Sequence, residues 1–89
     1  MERIHACQTL VKTTDDMVYR AEIWGDQRHD GRWEGWLRFI PVDGRGILST
    51  SRETTQPNRQ ALIYWATGLE PVYLEGALER AGAGRTPAK

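Results

Sequence analysis

Hydrophobic and polar residues alternate with a period of two along the first part of the chain, and with a period near 3.6 after Arg52. The clearest strand is residues 33–42, Trp-Glu-Gly-Trp-Leu-Arg-Phe-Ile-Pro-Val. Alternation puts Trp33, Gly35, Leu37 and Phe39 on one face and Glu34, Trp36, Arg38 and Ile40 on the other. The first set is apolar and should face the core; the second is half-wet. Gly35 in a strand interior marks close approach by another element, a helix or an aromatic ring, and Pro41 suits a strand end that needs no ladder donor.

The flanking segments read as strands that pair with this one. Residues 3–12 alternate, with Cys7, Thr9 and Val11 on one side and Ala6, Gln8 and Leu10 on the other. Thr13-Thr14-Asp15-Asp16 is a turn by composition. Residues 17–25 form a second strand, with Tyr19, Ala21 and Ile23 inward and Val18, Arg20, Glu22 and Trp24 outward. Residues 26–31 make a polar loop ending in the hairpin signal Asp30-Gly31. Asp43-Gly44 closes a second hairpin, and residues 47–52 are a fourth, more polar strand. A two-residue loop there sets Arg38 opposite Ser49 and Trp36 opposite Ser51.

Beyond Arg52, Glu53-Thr54-Thr55-Gln56-Pro57 reads as a helix entry, with proline in the first turn and Thr55 or Gln56 as the cap. The helix runs to Thr67, burying Leu62, Trp65, Ala66 and Leu69, and Gly68 stops it. Glu70-Pro71 opens a second helix with Leu74, Ala77, Leu78 and Ala81 on one face. Residues 82–89 read as a disordered tail. The pattern predicts an α+β fold: a four-stranded antiparallel β-meander followed by two α-helices packed on one face, as a single domain over residues 1–81.

Composition narrows the function classes. A chain of 89 residues supports one modest core. Its 12 basic and 12 acidic residues cancel, which argues against binding nucleic acid through bulk charge. One cysteine excludes an internal disulfide and a cysteine-rich metal site. With no long apolar run at the start, neither a signal peptide nor a membrane span is expected, and a cytoplasmic location is the default.

The run Arg52-Glu53-Thr54-Thr55-Gln56-Pro57, taken with Trp33-Glu34-Gly35-Trp36 and Tyr64-Trp65-Ala66, resembles a small uncharacterised bacterial family. That likeness implies no function. The order of meander, threonine-bearing turn and alanine-containing helix over residues 18–66 also resembles HicB-type antitoxins, which would imply a regulator. The acidic helix start and Pro-Gly turn of those proteins are missing, so no functional residue carries over.

The candidate chemistry lies on the outward sheet face. Arg20, Trp24, Trp36 and Arg38, with Glu22 and Glu34 between them, present two indoles and two guanidinium groups, and Trp and Arg concentrate at binding hot spots. An exposed indole can also stack a base, but the interleaved glutamates oppose a phosphate backbone. Arg52 and Thr55, at the expected helix N-terminus, form a second candidate site for an anion. The plainer role of Thr54, Thr55 and Gln56 is to cap the helix, with Glu53 complementing its dipole. His5 and Cys7 share a strand face but are too few for a metal, and Cys7 is expected to be buried and inert. Glu34, Glu53, His29 and Asp30 have no spacing that compels an acid–base pair, and neither a phosphate loop nor a nucleophile motif is present. The sequence therefore predicts a module that docks a protein partner or a second copy of itself, without metal, cofactor or catalytic residues. A nucleic-acid-binding or antitoxin-like regulator is the alternative, and an enzyme without a recognisable motif comes third.

Overall fold

The computed structural model describes residues 1–13, 16–44 and 46–82. The expected tail, apart from Gly82, lies outside these residues, as do Thr14 and Asp15 of the expected turn. Eight elements follow in order: β1 (Glu2–Ala6), β2 (Val11–Lys12), β3 (Val18–Gln27), β4 (Trp33–Pro41), β5 (Leu48–Ser49), β6 (Thr54–Gln56), α1 (Arg59–Thr67) and α2 (Pro71–Arg80). All pairings are antiparallel. β3 and β4 form the central hairpin, β1 and β2 both pair with β3, and β5 and β6 both pair with β4. The predicted four-stranded meander is present, with each edge strand broken in two.

The central hairpin forms because its two strands are in phase. Its register sets Tyr19 opposite Pro41, Ala21 opposite Phe39, Ile23 opposite Leu37 and Gly25 opposite Gly35, so every inward residue faces another. Ile23, Leu37 and Phe39 are wholly buried, and Tyr19 meets the Phe39 ring edge-on at 6.5 Å. Ala66 of α1 and Leu74, Ala77 and Leu78 of α2 complete this core, with Trp65 and Leu69 packed at its margin. Both helices therefore lie on one sheet face, as their apolar stripes require.

Leu62 has a separate seat. Side chains at Gly25 and Gly35 would begin 2.6 and 2.7 Å from its two δ-methyl carbons. Those glycines face each other across β3 and β4, so a bare strip of backbone receives the methyls and lets α1 settle on the sheet. The room for a helix expected at Gly35 is thus built from two residues.

Three local expectations need correction. Residues 54–56 do not enter a helix. Thr54–Gln56 is an edge strand, with Gly35 opposite Thr54, Glu34 opposite Thr55 and Trp33 opposite Gln56. The cap is Asn58, whose side chain accepts a 2.8 Å hydrogen bond from the amide of Ala61, and Pro57 stands before it. The first half of β4 would otherwise leave a run of edge amides and carbonyls without backbone partners, and the threonines are good strand residues. Asn58→Ala should cost about 1 kcal/mol of stability. Thr55→Val should leave the thermal melt near the parent's, whereas a capping threonine would give the opposite ranking. Gly68 does end α1, but with φ −96° rather than in the left-handed conformation.

The first expected strand breaks between Ala6 and Val11, and the register of β1 on β3 shifts between Arg3 and His5. The fourth expected strand also breaks. Arg38 lies opposite Ser49 as predicted, but Ser51 does not lie opposite Trp36. Between the Arg38–Ser49 and Gly35–Thr54 pairs, two residues of β4 face four of the other strand, a bulge of two extra residues. Thr50 anchors it: its amide donates to the Leu37 carbonyl at 3.0 Å, and its hydroxyl accepts from the Leu37 amide at 3.1 Å.

The bulge also redirects two side chains. Uninterrupted alternation would turn Glu53 outward with Ser49 and Thr55. It goes instead to the helix side, where it accepts hydrogen bonds from Tyr73 and from Arg80, the latter at 2.6 Å. Arg80 also lies over the Tyr73 ring at 5.5 Å, and Trp65 meets that ring edge-on at 5.9 Å. Glu53 is therefore the clamp of α2 on the sheet rather than a partner for the start of α1.

Candidate functional site: the open sheet face

The face of the sheet opposite the helices has no element of this chain over it among the described residues. The cross-strand pairs of β3 and β4 set its rows: Arg20 with Ile40, Glu22 with Arg38, Trp24 with Trp36, and Asp26 with Glu34. Trp24 and Trp36 are neighbours on the open face and both are half-buried. Trp24 is held in place. Its indole N–H donates to Glu22 at 2.9 Å, and the Arg38 guanidinium lies 4.8 Å from the ring centroid. Glu22 also accepts from Arg3 of β1, at 3.2 Å.

The six sequence-predicted residues come together here. Arg20, Trp24, Trp36 and Arg38 lie in the rows just given. Thr55 stands opposite Glu34 on the same face, and Arg52, re-aimed by the bulge, reaches within 3.9 Å of the Glu34 carboxylate. Arg28 approaches the same carboxylate from the hairpin loop at 3.9 Å. The anion site expected of Arg52 and Thr55 at a helix N-terminus is not formed, because no helix begins there. Both residues instead extend the sheet surface at its β6 side.

The sequence reading missed the exposed aliphatic residues at the other end of the sheet from the Trp pair. Leu10, Val42 and Ile47 are 53%, 56% and 50% exposed. Each lies one residue beyond the end of a strand (β2, β4 and β5), while Val18 and Ile40 are outward residues of the central hairpin itself. The signal was present in the outward phase of Val18 and Ile40, two β-branched residues at positions a purely solvated face would leave polar.

Other candidate chemistry is sparse. His5 and Cys7 line a shallow groove with Gln8, Thr67, Leu69 and Leu74, between the bend after β1 and the turn joining the helices. Among the described residues no three His, Cys, Asp or Glu side chains gather as metal ligands. Burial pushes the Cys7 thiol above its ordinary pKa. A thiol reagent should accordingly label Cys7 slowly in the native protein and quickly after unfolding; equal rates would show it free on the surface. Among the described residues, no helix is long and apolar enough to cross a membrane. No family model, curated protein or solved structure matches this chain.

Proposed function

We propose that this domain is a protein-interaction module whose docking surface is the open sheet face. The observation that carries this reading is that one uncovered sheet face holds the Trp24–Trp36 pair and, across the Glu22–Arg38 row, the aliphatic residues Val18 and Ile40. Indoles and aliphatic side chains on one face, interleaved with charged side chains, are the composition of protein contacts. A nucleic-acid platform would need indole faces open for stacking and guanidinium groups free for phosphate. Here Arg38 occupies a face of Trp24, Arg3 is bonded to Glu22, and Arg28 and Arg52 sit beside Glu34.

The test combines iodide quenching of tryptophan emission with mass by light scattering, comparing the parent with Trp36→Phe. The difference between the two isolates the Trp36 indole. A quenchable Trp36 in a monomer, or a protected one in a larger species, supports a docking face. A protected Trp36 in a monomer overturns it, and so does tight, steeply salt-dependent binding of single-stranded oligonucleotides.

A further inference from the structure

Resting on that reading, we infer that the occupant of the open face is a second copy of the same chain, docked sheet on sheet about a two-fold axis that runs along the β3–β4 hairpin between its strands.

The register of the central hairpin is self-complementary about this axis. Such an axis places each outward residue of β3 over its own cross-strand partner in the other copy. Trp24 then faces the second copy's Trp36, and Val18 its Val42, which continues the hairpin through its 3.0 Å hydrogen bond to Val18. Glu22 faces the second copy's Arg38, and Arg38 its Glu22. One operation thus matches indole with indole, aliphatic with aliphatic and carboxylate with guanidinium, on both sides of the axis at once. That self-match is the requirement of an isologous interface.

The corresponding axis across the strands fails on charge. An axis in the same plane but across the strands, at the level of the Glu22–Arg38 row, would set Glu22 on Glu22 and Arg38 on Arg38. The chosen axis keeps the strands of the two copies aligned, as in sandwiches whose sheets lie about 10 Å apart, a gap that long Glu and Arg side chains span from both sides. The acidic row of Asp26 and Glu34 meets its counterpart, but there the N-terminal ammonium, Arg28 and Arg52 already balance the carboxylates. Arg20, which has no carboxylate partner among the described residues, lays its aliphatic stem over Ile40 of the second copy.

The area sits at the lower end of what a stable dimer needs, about 1,200 Å² in total. Four strand rows about 4.8 Å apart and a hairpin of about 30 Å give roughly 600 Å² per face before side-chain relief is counted. A standard interface takes about 800 Å² per partner.

A charge-swap experiment tests this arrangement. Glu22→Arg and Arg38→Glu are made as separate full-length proteins. Circular dichroism checks that each is folded, and light scattering gives the mass of each alone and of an equimolar mixture. In the proposed geometry each variant alone opposes like charges and has the monomer mass. In the mixture every facing pair is complementary, and the mass doubles to that of the parent. Variants that stay dimeric alone would place the contact elsewhere and overturn the inference. So would a mixture that stays monomeric. A monomeric parent overturns it too, and the quenching of Trp36 in that monomer then decides separately whether the face is a docking site. Should either charge variant fail to fold, Val42→Asp serves instead, because Val42 is already half exposed. It should halve the mass, and an unchanged dimer would overturn the proposal.

Discussion

Leu62→Ala should destabilise the domain by about 2–5 kcal/mol, the cost of emptying a fully enclosed site. Leu62 is wholly buried, and its methyls occupy the glycine strip of β3 and β4. The reciprocal change is also costly. Gly25→Ala would put a methyl 2.6 Å from a Leu62 δ-carbon and 3.1 Å from both the Glu34 carbonyl oxygen and an Ile4 side-chain carbon. Overpacking of this kind costs about 1–3 kcal/mol. Gly35→Ala meets Leu62 at 2.7 Å, with the Thr54 methyl at 3.3 Å and the Trp24 carbonyl oxygen at an ordinary 3.6 Å, so it should cost less than Gly25→Ala. The decisive measurement is a double-mutant cycle in urea. Gly25→Ala with Leu62→Ala should cost less than the sum of the single changes, because the new methyl enters the space that the shortened side chain leaves. Strict additivity would show that the glycine strip is not the seat of α1.

Glu53→Gln should cost about 1–3 kcal/mol, since it weakens a charge-assisted hydrogen bond and leaves a largely enclosed site imperfectly paired. It should also flatten the pH dependence of stability at both ends. Burial works against ionisation of Glu53, but hydrogen bonds from Arg80 and Tyr73 outweigh it and hold the carboxyl below its ordinary value. A depressed carboxyl stabilises the fold fully above its unfolded pKa of about 4.3, and that contribution is lost as pH falls through the folded value. Tyr73 has the opposite sign. Burial, together with its bond to the Glu53 carboxylate, pushes its hydroxyl up to about 12. Its contribution is complete below the unfolded pKa of about 10 and is lost as pH rises through the folded value. Urea melts from acid to alkaline pH should show both losses in the parent and smaller ones in the variant. Equal slopes in the two proteins would remove Glu53 from the docking of α2.

The sequence carried the fold where one signal dominated. Tyr19, Ala21, Ile23, Leu37 and Phe39 keep a strict period of two, and each is buried. Leu62, Ala66, Leu74, Ala77 and Leu78 keep a helical period and are buried too. It failed where a segment satisfies two local rules and a distant partner chooses between them. Thr54-Thr55-Gln56 before Pro57 suits a helix cap as well as a strand, and the exposed edge of Trp33–Gly35 made it a strand. The candidate site was legible in four residues for the reason given, since Arg20, Trp24, Trp36 and Arg38 follow from the hairpin register alone. Arg52 reached the same surface by a route no alternation rule describes, while Thr55 keeps the outward phase of Ser49 on an edge strand rather than at a helix start. The breaks in the edge strands left no sequence signal because Gln8, Thr9, Ser51 and Arg52 fit an edge strand as well as a bend.

The bulge between β5 and β6 contains an even number of extra residues. Thr54 and Thr55 consequently recover the facing that Leu48 and Ser49 had, inward and outward in turn. A change of chain length here by two residues leaves every side chain of β6 on its own side. The pairing of β6 with β4 holds Thr54 over the glycine strip, and the departures from alternation are taken up within the bulge, at Arg52 and Glu53. The seat of α1 is thereby insulated from the path the chain takes between β5 and β6.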